Sequence, residues 1–81
     1  MIKVYTKPLC PYCDMAKDYL QTQAVIFEEI NVMEDSDALS FIKGKGHRTV
    51  PQIYNEDELL VEGGYTGLVK LGREGLLEAI G

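Results

Sequence analysis

Ile2 and Val4 alternate with Lys3 and Tyr5 at the start of the chain. Side chains of a strand point to opposite faces in turn, so residues 2–6 are expected to be extended. Pro8 and Pro11 bracket the loop that follows. Pro11 has no amide hydrogen, a lack that is harmless in the first turn of a helix. Cys13, Ala16, Lys17 and Leu20 recur at helical spacing, with Lys17 adding its aliphatic stem, and predict a helix over 11–22. Val25-Ile26-Phe27 opens a second strand that ends near Ile30. Asp35, Ser36 and Asp37 supply a cap and negative charge for a helix start, and Ala38, Leu39, Phe41 and Ile42 give that helix its apolar face. Gly44 and Gly46 are suited to end it, beside Lys43 and Lys45.

Pro51 precedes a short strand, Gln52-Ile53-Tyr54. Asn55-Glu56-Asp57 reads as a turn and Leu59-Leu60-Val61 as the returning strand of a hairpin, broken by Gly63-Gly64. A last helix begins near Thr66 and carries Leu68, Val69, Leu71, Leu76, Leu77 and Ile80. Gly72 and Gly75 each weaken a helix interior by roughly 1 kcal/mol relative to alanine, which predicts a break near 72–75. A strand–helix–strand unit crosses over right-handedly and makes parallel strands, and the closing hairpin adds an antiparallel pair. The expected fold class is therefore α/β, one domain over 1–81, with a four-stranded mixed sheet and three helices on its two faces in the order βαβαββα.

Composition narrows the function. A chain of 81 residues buries only about 60% of its unfolded surface, so no deep cavity for a large cofactor is expected. Apolar residues make up 46% and charged residues 26%, which suits a globular domain. No apolar run approaches the roughly 18 residues of a membrane-spanning helix. A net charge of −5 argues against a general nucleic-acid binder, which needs clustered cations. The N-terminus lacks a signal peptide's apolar stretch, so a cytoplasmic protein is expected. Two cysteines are too few for a disulfide scaffold.

Their spacing, Cys10-Pro11-Tyr12-Cys13, carries the chemistry. Cys10 falls at the start of the first helix, where unpaired amide hydrogens and the helix dipole stabilise an anion. Such a thiol has its pKa lowered from about 8.5 to between roughly 3.5 and 7.5, and the thiolate is the nucleophile. Cys13, one turn further on, is placed to resolve the mixed disulfide that Cys10 forms. Other readings exist for such a pair. A structural disulfide is disfavoured in the cytoplasm. A closed zinc site needs two more ligands, with only His47 and carboxylates left to supply them. Two ordinary buried thiols would not call for the helix start and Pro11. A Cys-x-x-Cys pair near a strand–helix–strand unit reads as redox, and no metal is expected.

At these residues the sequence resembles the glutaredoxins, small members of the thioredoxin-fold superfamily. Tyr5-Thr6-Lys7 before Cys10-Pro11-Tyr12-Cys13, the stretch Thr49-Val50-Pro51, and the pair Gly63-Gly64 stand in the family's order over nearly the whole chain. The Pro-Tyr pair between the cysteines is that of a glutaredoxin; thioredoxins usually have Gly-Pro there after a tryptophan, and this chain has no tryptophan. The resemblance implies a thioredoxin-like fold and a glutathione-dependent oxidoreductase. It would reduce protein disulfides and glutathione mixed disulfides, with glutathione as reductant and no bound cofactor. The resemblance implies a cis bond before Pro51 that sets the Val50 backbone beside the dithiol; spacing alone favours a trans proline starting an edge strand. It places Lys7 near the thiolate and a glutathione carboxylate, and makes Tyr12 a wall of the groove with Thr49, Val50 and Pro51. Gly64, Tyr65 and Thr66 would hold the γ-glutamyl carboxylate at a helix N-terminus. Partners implied are glutathione and disulfide-bearing proteins such as ribonucleotide reductase, met by a monomer.

Two features depart from the family pattern. Many glutaredoxins follow the double glycine with Cys or Phe and two aspartates, where this chain has Tyr65-Thr66-Gly67. No carboxylate then grips the glutathione ammonium, so weaker glutathione binding is expected. Asp14 follows the resolving cysteine and suits the first helical turn. Lys43, Lys45 and Arg48 form a locally positive stretch before Pro51, while His47 reads as a loop residue. The alternative functions are a glutaredoxin-like redoxin served by thioredoxin reductase, an iron–sulfur cluster carrier, and a non-enzymatic interaction module.

Overall fold

The alternation at the N-terminus becomes β1 (Ile2–Thr6), with Ile2 and Val4 buried on one face and Tyr5 on the other. The computed structural model describes residues 1–81. After β1 come α1 (Pro11–Thr22), β2 (Phe27–Asn31), α2 (Ser36–Gly44), β3 (Gln52–Asn55), β4 (Glu58–Leu59) and α3 (Gly64–Ile80). The four strands lie in the order β2-β1-β3-β4. β1 runs parallel to β2, with Val4 opposite Glu29, and antiparallel to β3, with Val4 opposite Ile53. This is the mixed α/β sheet that the sequence pattern predicts. No helix is long and apolar enough to cross a membrane.

Two apolar clusters hold the layers together. On one face Ile2, Val4 and Ile53 pack against Ala16 and Leu20 of α1 and Leu68 and Leu76 of α3. On the other, Tyr5, Val32 and Tyr54 pack against Ala38 and Ile42 of α2. Each fully buried aliphatic side chain stabilises the fold by about 1.5–3 kcal/mol. Tyr54 meets Tyr5 edge-on with ring centroids 5.6 Å apart, and Phe41 edge-on at 5.3 Å.

The helix ends follow local chemistry. Asp35 caps α2 by accepting the Ala38 N–H at 3.0 Å. That helix ends in a Schellman turn at Gly46, whose φ is 87°, with the His47 N–H donating to the Ile42 carbonyl and the Gly46 N–H to Lys43. α1 ends the same way, with Ala24 in the glycine position at φ 58° and Val25 donating to Leu20. Alanine is strained there, because its Cβ crowds the following carbonyl. Ala24→Gly is expected to stabilise the protein by about 0.5–1 kcal/mol, read as a rise in the urea midpoint.

That turn also corrects the second strand. Val25 and Ile26 are expected to open it, yet it starts at Phe27, and Ile26 is 79% exposed. Val25 is spent closing the Schellman turn. The returning strand is shorter than the expected Leu59–Val61 and ends at Leu59. Leu60 and Val61 both turn toward the α1–α3 cluster, and successive strand residues cannot share a face. The last helix starts at Gly64 rather than near Thr66, and the expected break falls at Gly72, with φ 74° and ψ 174°.

Lys17 does more than lend an aliphatic stem. Its ammonium pairs with Glu29 at 3.0 Å and Asp14 at 3.6 Å, and Glu29 also accepts the hydroxyl of buried Thr6. The Lys17 hydrogen bond, reinforced by Thr6 and opposed by burial, holds the Glu29 carboxyl below the usual range. The bond to Glu29 in turn raises Lys17. The carboxylate's share of stability is present above its unfolded pKa and is lost as pH falls through the folded one. The lysine's share is present below its unfolded pKa and is lost as pH rises through the raised one. Both shares are therefore in place near neutrality. The groups are partly solvated, so the pair contributes less than about 1 kcal/mol. Glu29→Gln is expected to lower the urea midpoint at neutral pH, with the deficit shrinking as pH falls below about 4.

Candidate active site

The dithiol is built by the start of α1. Cys10 is the N-cap, with extended backbone at φ −120° and ψ 98°, and its carbonyl accepts the Asp14 N–H at 3.1 Å. Pro11 takes the first helical position, where its missing amide leaves no bond unmade. The Cys13 N–H points at the Cys10 sulfur at 3.1 Å. An N–H so placed stabilises a thiolate at Cys10 once the pair is reduced. The two cysteines are joined as a disulfide, with Cα atoms 5.2 Å apart. Both are largely buried, Cys13 at 1% exposed more fully than Cys10 at 8%. Cys10 is thus the less deeply covered of the two.

The second wall comes from residues 40 positions away in sequence. The Val50–Pro51 bond is cis, as the family resemblance implies and spacing alone does not. The Cys10 sulfur lies 3.9 Å from the Val50 carbonyl oxygen. Val50 makes no backbone–backbone hydrogen bond, so its backbone is free to pair with an incoming chain. Gln52 braces this loop by donating to the Thr49 carbonyl at 2.8 Å. Sequence reasoning gave Gln52 no role, since its bond depends on how the loop folds back.

The third wall is the start of α3. Gly64 has φ 58°, and a Cβ there would sit 2.7 Å from the Pro51 carbonyl oxygen. Only glycine lets the two segments approach so closely. Between the walls lies an open pocket of about 320 Å³. It is lined by Tyr12, by Thr49, Val50 and Pro51, and by Gly63, Gly64, Tyr65 and Thr66. The structure thus brings together seven of the groove residues that the resemblance implies, and with them Gly63 of the double-glycine motif. The rings of Tyr12 and Tyr65 in this lining are neighbours, tilted by 37° with 6.3 Å between centroids.

Lys7 is not among them. It lines a neighbouring cleft of about 160 Å³ with Lys43, His47 and Arg48, joined to the first through Thr49 and Val50. Lys7, Lys43, Lys45 and Arg48 pair with no carboxylate, since the ion pairs of the molecule use Lys17 and the N-terminal amine. His47 is held in its loop by a 2.7 Å hydrogen bond with the Tyr54 hydroxyl.

Two details bear on the departures from the family pattern. Thr66 does not cap α3: Gly63 is the N-cap, and the Thr66 hydroxyl donates to its carbonyl at 2.8 Å. At Gly67 a Cβ would lie 1.8 Å from the Glu62 carbonyl oxygen, so this backbone has no room for the family's second aspartate. Asp14 sits in the first turn of α1, as expected, and is tied to Lys17.

A pair of cysteines at a helix start, joined as a disulfide beside a free backbone edge, suits thiol–disulfide exchange. Comparison with known proteins agrees. The family model described as Glutaredoxin matches residues 2–60. A glutaredoxin of Neisseria meningitidis is 37% identical over 81 residues, covering 98% of this chain and 93% of that protein. Wheat glutaredoxin shares the fold, with a TM-score of 0.79 and 23% identity, covering 98% of this chain and 77% of that one. The NrdH-redoxin of Escherichia coli, a glutaredoxin-like protein with a thioredoxin-like activity profile, gives a TM-score of 0.65 at 28% identity, covering 67% of this chain and 71% of that one. The chain belongs to the glutaredoxin family of thiol–disulfide oxidoreductases.

Proposed function

We propose that the chain is a dithiol glutaredoxin that takes its electrons from glutathione and passes them to protein disulfides and glutathione mixed disulfides. The observation that carries this reading is the pocket beside Cys10. It joins the unpaired Val50 backbone to the N-terminus of α3, where free amides and the helix dipole suit the γ-glutamyl carboxylate. The unpaired cations Lys7 and Arg48, across Val50, suit the second carboxylate of the same tripeptide. In the reaction Cys10 attacks the substrate disulfide and expels one thiolate. Cys13 then attacks Cys10, releasing the second thiol and forming the Cys10–Cys13 disulfide. Two molecules of glutathione restore the dithiol and leave as glutathione disulfide. Ribonucleotide reductase is one acceptor that the family resemblance suggests, and a cytoplasmic site of action fits this chemistry.

A second reading is a redoxin served by thioredoxin reductase. It is favoured by the absence of a carboxylate from the pocket lining, by the lack of room at Gly67, and by the likeness to NrdH-redoxin. Steady-state reduction of one protein disulfide decides between them. One assay supplies glutathione, glutathione reductase and NADPH; the other supplies thioredoxin reductase and NADPH. Faster turnover with glutathione is expected, and turnover with thioredoxin reductase alone would replace the first reading by the second.

A further inference from the structure

Leu9 stands directly before the nucleophile and is 100% exposed. Its backbone is left-handed, with φ 57°. A residue with a Cβ is strained in that conformation, whereas asparagine and glycine adopt it readily. Leu9 also joins neither apolar cluster and lines neither pocket beside the dithiol. Its side chain therefore serves neither the fold nor the glutathione groove, and its backbone setting disfavours it. Tyr12, on the other side of Cys10 in sequence, is 57% exposed. Exposed apolar side chains thus stand on both sides of Cys10 in sequence.

We propose that Leu9 is a specificity-determining residue that docks an apolar side chain next to the reactive cysteine of a polypeptide substrate. A polypeptide is the occupant that the geometry selects. Exchange requires the substrate sulfur at bonding distance from the Cys10 sulfur. Neighbouring Cα atoms are only about 3.8 Å apart, so a chain that extends on both sides of its cysteine passes within reach of Leu9. One side of that chain can pair with the Val50 backbone, which makes no backbone hydrogen bond of its own, and the proposal sets the other side against Leu9. A small disulfide has no segment to reach it. The exchange itself is balanced within the two molecules: the dithiol gives two electrons, the Cys10–Cys13 disulfide forms, and two substrate thiols are released. The inference rests on this exchange and not on which donor regenerates the dithiol.

The test is a single-turnover reaction of pre-reduced protein, with no donor present. The substrates are two peptide disulfides, one with leucine beside the reactive cysteine and one with serine, and bis(2-hydroxyethyl) disulfide. The wild type is compared with Leu9→Asn and Leu9→Gly, and the melting temperature of each is recorded. The wild type is expected to prefer the leucine-flanked peptide about tenfold, which is ~1.4 kcal/mol. Both variants are expected to lose that preference, keep the wild-type rate on bis(2-hydroxyethyl) disulfide, and melt no lower than the wild type. No preference in the wild type, a preference that survives both substitutions, or an equal slowing on all three substrates would overturn the proposal. Failure of the glutathione assay above would leave this result unaffected.

Discussion

Replacing Cys10 with serine is expected to cut disulfide reduction on the order of a thousandfold or more, as loss of an enzyme nucleophile commonly does. Serine keeps the shape of the N-cap and can still accept the Cys13 N–H, so the fold should survive. What disappears is the thiolate that the helix start stabilises. Cys13→Ser should behave differently. In the proposed mechanism the first attack belongs to Cys10, the less buried of the pair at 8% against 1%. The variant is expected to react once and stop, holding the substrate as a mixed disulfide on Cys10. Mass spectrometry of the reaction mixture reads this directly. If Cys13→Ser formed no adduct while Cys10→Ser did, the assignment of the two sulfurs would be reversed.

Gly67→Ala is expected to destabilise the fold strongly, by about 3 kcal/mol or more. The added Cβ would lie 1.8 Å from the Glu62 carbonyl oxygen and 2.9 Å from its carbon. Both are backbone atoms, so no rotamer change relieves the overlap. Either α3 or the strand exit at Val61 and Glu62 must shift, and Leu68 and Val61 are both members of the larger apolar cluster. For a domain of this size the loss corresponds to a fall of roughly 12–24 °C in the melting temperature. Gly44→Ala is the control. It lies in α2, meets nothing within 4 Å, and should gain up to about 1 kcal/mol from better helix propensity. Equal melting temperatures for the two variants would refute the packing argument.

The order of elements was legible because it rests on local rules. The alternation of Ile2 and Val4, the helical recurrence of Cys13, Ala16 and Leu20, and the capping Asp35 each act within a few residues. The boundaries that went wrong did so where a distant contact competed. Leu60 carries a strand's composition, but it follows Val61 into the α1–α3 cluster. Ile26 carries it too, but α1 ends in a turn that claims Val25. Lys17 showed only its spacing on the apolar face. Its partner Glu29 lies on β2 and reaches it only through the parallel pairing of β1 and β2.

By itself the sequence determined the element order and the place of the dithiol at a helix start. It also determined, through three motifs, the family. Those follow from spacing along the chain and from chemistry within one turn. Tertiary structure alone decided that Cys10 is the less buried cysteine and that Val50 lies beside it. It also decided that Gly64 closes against Pro51 and that Leu9 stands free in solvent. Each of these depends on how helices pack across the sheet and bring separated loops together. That arrangement is set by burial of the whole apolar surface, which no short stretch of residues encodes.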